Sequence, residues 1–139
     1  MKSIGTILLC LFFICTTMTA QKATAEAIVQ ANLDAYNTGD IDGFMSYFSS
    51  EIEMVNFAGG TQTAKGLTAV RDIYEPYFKA SPDLHSTILQ RVVIGNKVID
   101  HESITGRYGI DDELKLVLIY EVEEDKITKV TVIREYANF

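Results

Sequence analysis

Arg91-Val92-Val93-Ile94-Gly95-Asn96-Lys97-Val98-Ile99-Asp100 is the stretch whose reading decides the fold. Two β-branched runs flank a Gly-Asn pair, which is the signature of a two-residue hairpin turn. With Ile94 opposite Lys97, counting outward places Arg91 opposite Asp100 and Gln90 opposite His101. The pattern continues on both sides. Leu84–Ile94, Lys97–Tyr108, Glu113–Val122 and Lys126–Tyr136 read as successive antiparallel strands, with a second turn at Glu123-Glu124-Asp125. Each exceeds the usual ~5–6 residues, so strong twist and bending are expected. Gly106 and Gly109 are candidate bend positions.

Upstream of this meander the period changes from two to 3.6. Ala27, Ile28, Ala31, Leu33, Ala35 and Tyr36 define a helix over about Thr24–Asn37, with Gly39 just past its end. Asp40 caps a shorter helix, Ile41–Phe48, rich in aromatic residues. Glu51–Phe57 alternates as a strand, and Ala58-Gly59-Gly60-Thr61 is a loop. A third helix begins after Gly66, its stripe made of Leu67, Val70, Ile73, Tyr74, Tyr77 and Phe78, with Pro76 as a possible kink; Ser81-Pro82-Asp83 ends it. Helices followed by a long meander predict an α+β domain, with helices packed on one face of a curved antiparallel sheet. Such a shape encloses a pocket.

The first 20 residues are read separately. Lys2 gives a positive start, Ile4–Ile14 is apolar, and small polar residues follow, as in a secretory signal peptide too short to span a bilayer. Cleavage is expected after Ala20, with Ala25 in Ala23-Thr24-Ala25 as the alternative. Removing 20 of 139 residues leaves a 119-residue domain, 21–139, without cysteine, because Cys10 and Cys15 both lie upstream. A secreted or periplasmic protein of that kind is held by its core rather than by disulfides. The formal charge of −7 argues against nucleic acid or anionic membrane as a partner, and no membrane attachment is expected after cleavage. The glycines at 59 and 60 lack the helix start and Gly-Lys-Ser/Thr of a phosphate loop, and no serine stands in a nucleophile elbow.

The motifs Ala35-Tyr36-Asn37-Thr38-Gly39-Asp40, Phe44…Phe48-Ser49, Lys65-Gly66-Leu67…Val70-Arg71…Tyr74, Asp83-Leu84-His85, Asn96-Lys97-Val98-Ile99 and Asp125-Lys126-Ile127 occur in an order that resembles the NTF2-like superfamily. That superfamily includes the SnoaL-like polyketide cyclases and ketosteroid isomerase, and the chain looks like an exported bacterial member. The resemblance implies a cone-shaped α+β fold, its sheet wrapped around N-terminal helices, and frequent homodimers. It does not fix an activity, because the fold hosts enzymes and binding modules alike. The isomerase residues do not carry over. The oxyanion tyrosine would fall at Asn32, the general base at Asn56, and the protonated acid within Lys115–Leu118, which contains none. An amide cannot take a proton from carbon as a carboxylate does. An epoxide-hydrolase type of site, Asp-Arg-Asp around a water, stays open.

Strand pairing selects the candidate catalytic residues. Arg91 and Asp100 are cross-strand partners, with Glu102 diagonal to them and His85 further along the same face. An arginine with two carboxylates can orient water or a polar substrate. The favoured alternative is a solvent-exposed ion-pair network worth ~0–1 kcal/mol per pair, since the sequence does not reveal which face is concave. His101 and Gln90 occupy the other face with Val92, Ile99 and Ser103. There His101 is either a general base or, more commonly, a structural histidine. The two histidines on opposite faces argue against a shared metal site. Tyr36, Phe44, Tyr47, Phe57, Tyr74, Tyr77 and Phe78 are expected chiefly in the core; ligand contacts are expected from Tyr36, Tyr47, Asn56, Phe57, Tyr74 and Tyr120.

The expected function is binding of a small, largely apolar molecule in the cone, with any catalysis acid–base or water-mediated and free of cofactor or metal. The alternative is a non-catalytic dimeric module that uses an apolar sheet face, with Val117, Ile119, Val130 and Val132 on one side of the last hairpin.

Overall fold

A computed structural model describes residues 23–134. The expected signal segment, its expected cleavage point after Ala20 and both cysteines therefore lie outside the described residues, as do Glu135 and Tyr136 at the end of the last expected strand; the alternative cleavage point after Ala25 falls at the first residue of α1. The elements are α1 (Ala25–Asn37), α2 (Ile41–Ser46), β1 (Phe48–Asn56), β2 (Thr61–Lys65), α3 (Gly66–Ala80), β3 (His85–Ile94), β4 (Lys97–Thr105), β5 (Leu114–Glu123) and β6 (Lys126–Arg134). Short 3-10 turns occupy Ala58–Gly60 and Arg107–Gly109. The strands form one curved sheet in the order β2-β1-β6-β5-β4-β3. It is mixed rather than wholly antiparallel, because β1 runs parallel to β6. The α+β cone anticipated from the sequence is the fold observed.

Local chemistry sets most boundaries. The Thr24 hydroxyl accepts from the Ala27 amide and caps α1, and the Asp40 carboxylate accepts from Gly43 to cap α2. The second helix stops at Ser46, two residues before its expected end, because Phe48 already belongs to β1. Thr61, expected in a loop, opens β2. Pro76 lies inside α3, which continues past it to Ala80.

The Gly95-Asn96 hairpin has the expected register: Ile94 pairs with Lys97, Arg91 with Asp100 and Gln90 with His101. Beyond Gln90 the register slips by one, so that Ile88 faces Glu102 and His85 faces Thr105. One inserted residue inverts every side chain on the far side of it. His85 therefore joins His101 on the outer face instead of lying beside Arg91. A second irregularity sits between Glu121 and Val122, where Lys129 pairs with Glu121 but Ile127 with Val122. It separates the residues expected together in the last hairpin. Val130 and Val132 pair with Tyr120 and Leu118 on the inner face, and Val117 and Ile119 point outward.

The core lies between the inner sheet face and the helices. Phe44 is its aromatic hub, with ring centroids 4.8 Å from Tyr74, 5.0 Å from Phe48, 5.4 Å from Phe78 and 5.9 Å from Tyr36. Truncating such a ring to alanine costs about 3–5 kcal/mol. Phe57 is a correction to the expected aromatic core: at 62% exposure it stands in solvent, carried there by the turn that follows β1.

Candidate functional site

The cone contains a cavity of about 380 Å³. Alternation on three strands supplies most of its wall: Glu102 and Ile104 from β4, Leu114, Leu116, Leu118 and Tyr120 from β5, and Val130, Val132 and Arg134 from β6. The helices close the other side with Asn32, Tyr36, Phe44, Tyr74 and Tyr77. Exposure distinguishes floor from mouth. Asn32, Phe44, Glu102 and Tyr120 are buried, whereas Ile73, Tyr108 and Arg134 are exposed.

Glu102 is the acid on the floor, with 2% of its surface exposed. The Ser86 hydroxyl donates to Oε2 at 2.5 Å, and the Tyr120 hydroxyl reaches Oε1 at 3.5 Å. Ser86 is itself fixed by Asn37 at the end of α1. The Asn37 side-chain Oδ1 accepts from the Ser86 backbone amide at 2.7 Å, and its Nδ2 donates to the Ser86 backbone carbonyl at 2.9 Å. No cation within salt-bridge distance of Glu102 occurs among the described residues. Burial raises its pKa to about 7; the Ser86 bond opposes the rise, and the neighbouring Asp100 charge adds to it.

Asp100, two residues earlier on the same face, is fully buried. Arg91 holds it in a bidentate pair, Nε to Oδ1 and Nη2 to Oδ2 at 2.7 Å each, and Arg91 Nη1 donates to Gln30 Oε1 at 2.8 Å. The cluster is therefore not the exposed network favoured from sequence: it lies on the concave face, and Glu102 opens into the cavity. The ring hydroxyls remain protonated through the physiological range. Burial pushes Tyr74 up to about 12 and raises Tyr36, Tyr77 and Tyr120 as well. Tyr36 and Tyr77 share a hydrogen bond of 3.2 Å.

Among the residues expected to contact a ligand, Tyr36, Tyr74 and Tyr120 line the cavity, and Tyr47, Asn56 and Phe57 do not. His101 sits outside with Gln90 and Val92. The resemblance to the isomerase looked for an acid within 115–118. Leu116 and Leu118 face the cavity there, and the buried acid is Glu102 on the adjacent strand, directly opposite Leu116. Sequence reasoning passed over Arg107 and Arg134. The signal for Arg134 was its alternation with Val130 and Val132, which places a cation where the strand pattern calls for an inward residue. Arg107 follows Gly106, whose φ is +71° and where a Cβ would lie 2.1 Å from the Asp83 carbonyl oxygen. Only glycine fits that close approach, and the turn it permits brings Arg107 to the cavity. Among the described residues no cluster of His, Cys, Asp or Glu is arranged to hold a metal.

The profile of the SnoaL-like domain matches residues 29–130. Among solved structures, a cystatin-fold protein from Novosphingobium aromaticivorans shares 24% identity with a TM-score of 0.74, covering 81% of this chain and all of that one. An NTF2-like protein from Cytophaga hutchinsonii shares 15% identity at a TM-score of 0.69, with 83% and 93% of the two chains covered. A protein with a ketosteroid isomerase-like fold from Catenulispora acidiphila, solved in complex with trimethylamine, shares 18% identity at a TM-score of 0.65, with 79% and 85% covered. No curated protein matches the chain.

Proposed function

The chain belongs to the SnoaL-like domain family, and from that premise we propose that it binds a small, largely apolar molecule in the cone and exchanges a proton with it through Glu102. One observation carries the proposal: a carboxyl 2% exposed, without a counter-ion among the described residues, faces a cavity of about 380 Å³ and has a pKa raised to about 7. Near neutral pH it is present in both forms, which is the condition a general acid–base group needs. The neutral form can hydrogen-bond to or protonate a carbonyl oxygen. The carboxylate can remove a proton from an acidic C–H or O–H, and Tyr120 beside it can donate to the oxygen that gains charge. No cofactor is required for either step.

Thermal-shift screening with apolar, carbonyl-bearing compounds at pH 6 and pH 8 tests the proposal. Compounds that stabilise the wild type are expected to show a pH dependence that Glu102→Gln abolishes. A screen in which no compound raises the melting temperature defeats it.

A second reading has its own support. Val117 and Ile119 face outward, and Val92 and Ile94 are exposed on the same side of the adjoining hairpin, an apolar surface suited to pairing two copies of the chain. Sedimentation showing only monomer at micromolar concentration removes it. Export, which rests on Lys2 and the apolar run to Ile14, is checked by the intact mass of the mature chain.

A further inference from the structure

Resting on the small-molecule reading above, we propose that the cavity selects an amphiphilic organic anion: a carboxylate met by Arg107 and Arg134 at the mouth, an apolar body along the leucines of β5, and an oxygen at Glu102 and Tyr120 on the floor. The chain carries a formal charge of −7 and only four arginines, yet two of the four line this one cavity. The other two are committed elsewhere: Arg71 to Asp42 and Glu75 on the surface, Arg91 to Asp100.

The mouth arginines keep donors available. Arg107 pairs with Asp112 Oδ2 through Nη2, and its buried Nε, like the Oδ1 of Asp112, has no hydrogen-bond partner among the described residues. A buried guanidinium donor left unpaired is costly, and a ligand carboxylate is the group that satisfies it. Arg134 makes no ion pair among the described residues. It stands at the last described rung of β6, opposite Leu116, continuing the inward row of Val130 and Val132.

A cationic ligand fits less well, despite the tyrosine rings and the single carboxyl on the floor. It has to pass two guanidinium groups, and Asp112, the carboxylate beside Arg107, is paired with that cation through Oδ2. For an anion the same two groups offset the repulsion of an acidic protein at the point of entry. Between mouth and floor, Leu114, Leu116, Leu118 and Ile104 offer no polar partner, so the molecule they accommodate is apolar between its two ends.

Matched eight-carbon probes separate head-group chemistry from chain burial. Calorimetric titration of the purified protein with octanoate, octanol and octylammonium at pH 7.5 is expected to rank octanoate first, by about tenfold or more over octanol. Added salt should weaken octanoate alone. Arg134→Gln, at an exposed position, should bring octanoate to the level of octanol with the melting temperature unchanged, and Arg107→Gln should do the same at some cost in stability. Octanoate binding no tighter than octanol overturns the anion site and leaves the small-molecule reading standing. Octylammonium binding tightest assigns the cavity to cations instead. Octanoate binding that survives both substitutions places the anion elsewhere on the surface. If none of the three probes binds, the small-molecule reading fails together with the inference.

Discussion

Asp100 and Glu102 occupy successive inward positions of β4, and both are almost entirely withdrawn from water. Their surroundings differ in one respect. Asp100 meets a guanidinium that matches both its oxygens, whereas Glu102 meets only hydroxyls. The first arrangement compensates the charge and fixes it as part of the framework. The second leaves the charged form under-stabilised, so the group titrates near neutrality and faces a cavity. Burial alone does not make a carboxyl reactive; burial without a counter-charge does.

Removing the counter-charge is the most direct way to break this contrast. Arg91→Met leaves Asp100 buried without its partner and should cost about 3–5 kcal/mol in urea unfolding at pH 7. A cost below about 1 kcal/mol would mean that Asp100 reaches water and that the two carboxyls are not as different as they look.

The next effect has a sign set by linkage. Glu102 has a folded pKa of about 7, raised above its ordinary value of 4.5, so the folded state holds the proton more tightly than the unfolded chain. Stability should therefore fall as pH rises from about 4.5 to about 7 and level off above, by on the order of 3 kcal/mol. Glu102→Gln, which is neutral throughout, should lose most of that slope and unfold at higher temperature than the wild type at pH 8. Identical slopes in the two proteins would falsify the assignment.

Smaller still are the effects of the hydroxyls. Ser86→Ala removes the donor that opposes the burial effect, so it should move the Glu102 midpoint upward and cost roughly 1 kcal/mol, as followed by carboxyl carbon NMR. Tyr120→Phe, acting over a longer contact, should shift the midpoint less. The reverse order would show that the tyrosine, not the serine, holds the acid. Last, His101→Ala on the outer face should change stability by no more than about 0.5 kcal/mol and leave any ligand response intact. A lost response would return the histidine to the site.

The sequence carried the hairpin register because Gly95-Asn96 pins one pair and alternation propagates from it. It did not carry the slip beyond Gln90: nothing in Ile88-Leu89-Gln90 distinguishes an inserted residue from a continuing strand, and on that depended the side His85 takes. Arg91, Asp100 and Glu102 were legible as a group, but their meaning hung on which face is concave, a property of helices packed from far along the chain. Arg134 shows the opposite case. Its place in an inward row was readable, yet a charge at the end of a strand is ordinarily a solvated one. No acid occurs within 115–118, and the buried Glu102 lies on the neighbouring strand, opposite Leu116.

The parallel seam between β1 and β6 has a consequence for how the chain assembles. Phe48 meets Ile127, so the first strand, paired locally with β2, finds its second neighbour only after nearly the whole described chain has been made. The hairpins β3–β4 and β5–β6 close locally, but the middle of the sheet waits for the most distant partner in the sequence. Loop closure of that length slows folding, and until it happens the free edge of β6 is open to pairing with another chain. Synthesis from the N-terminus thus presents β1 and α3 early and completes their sheet last.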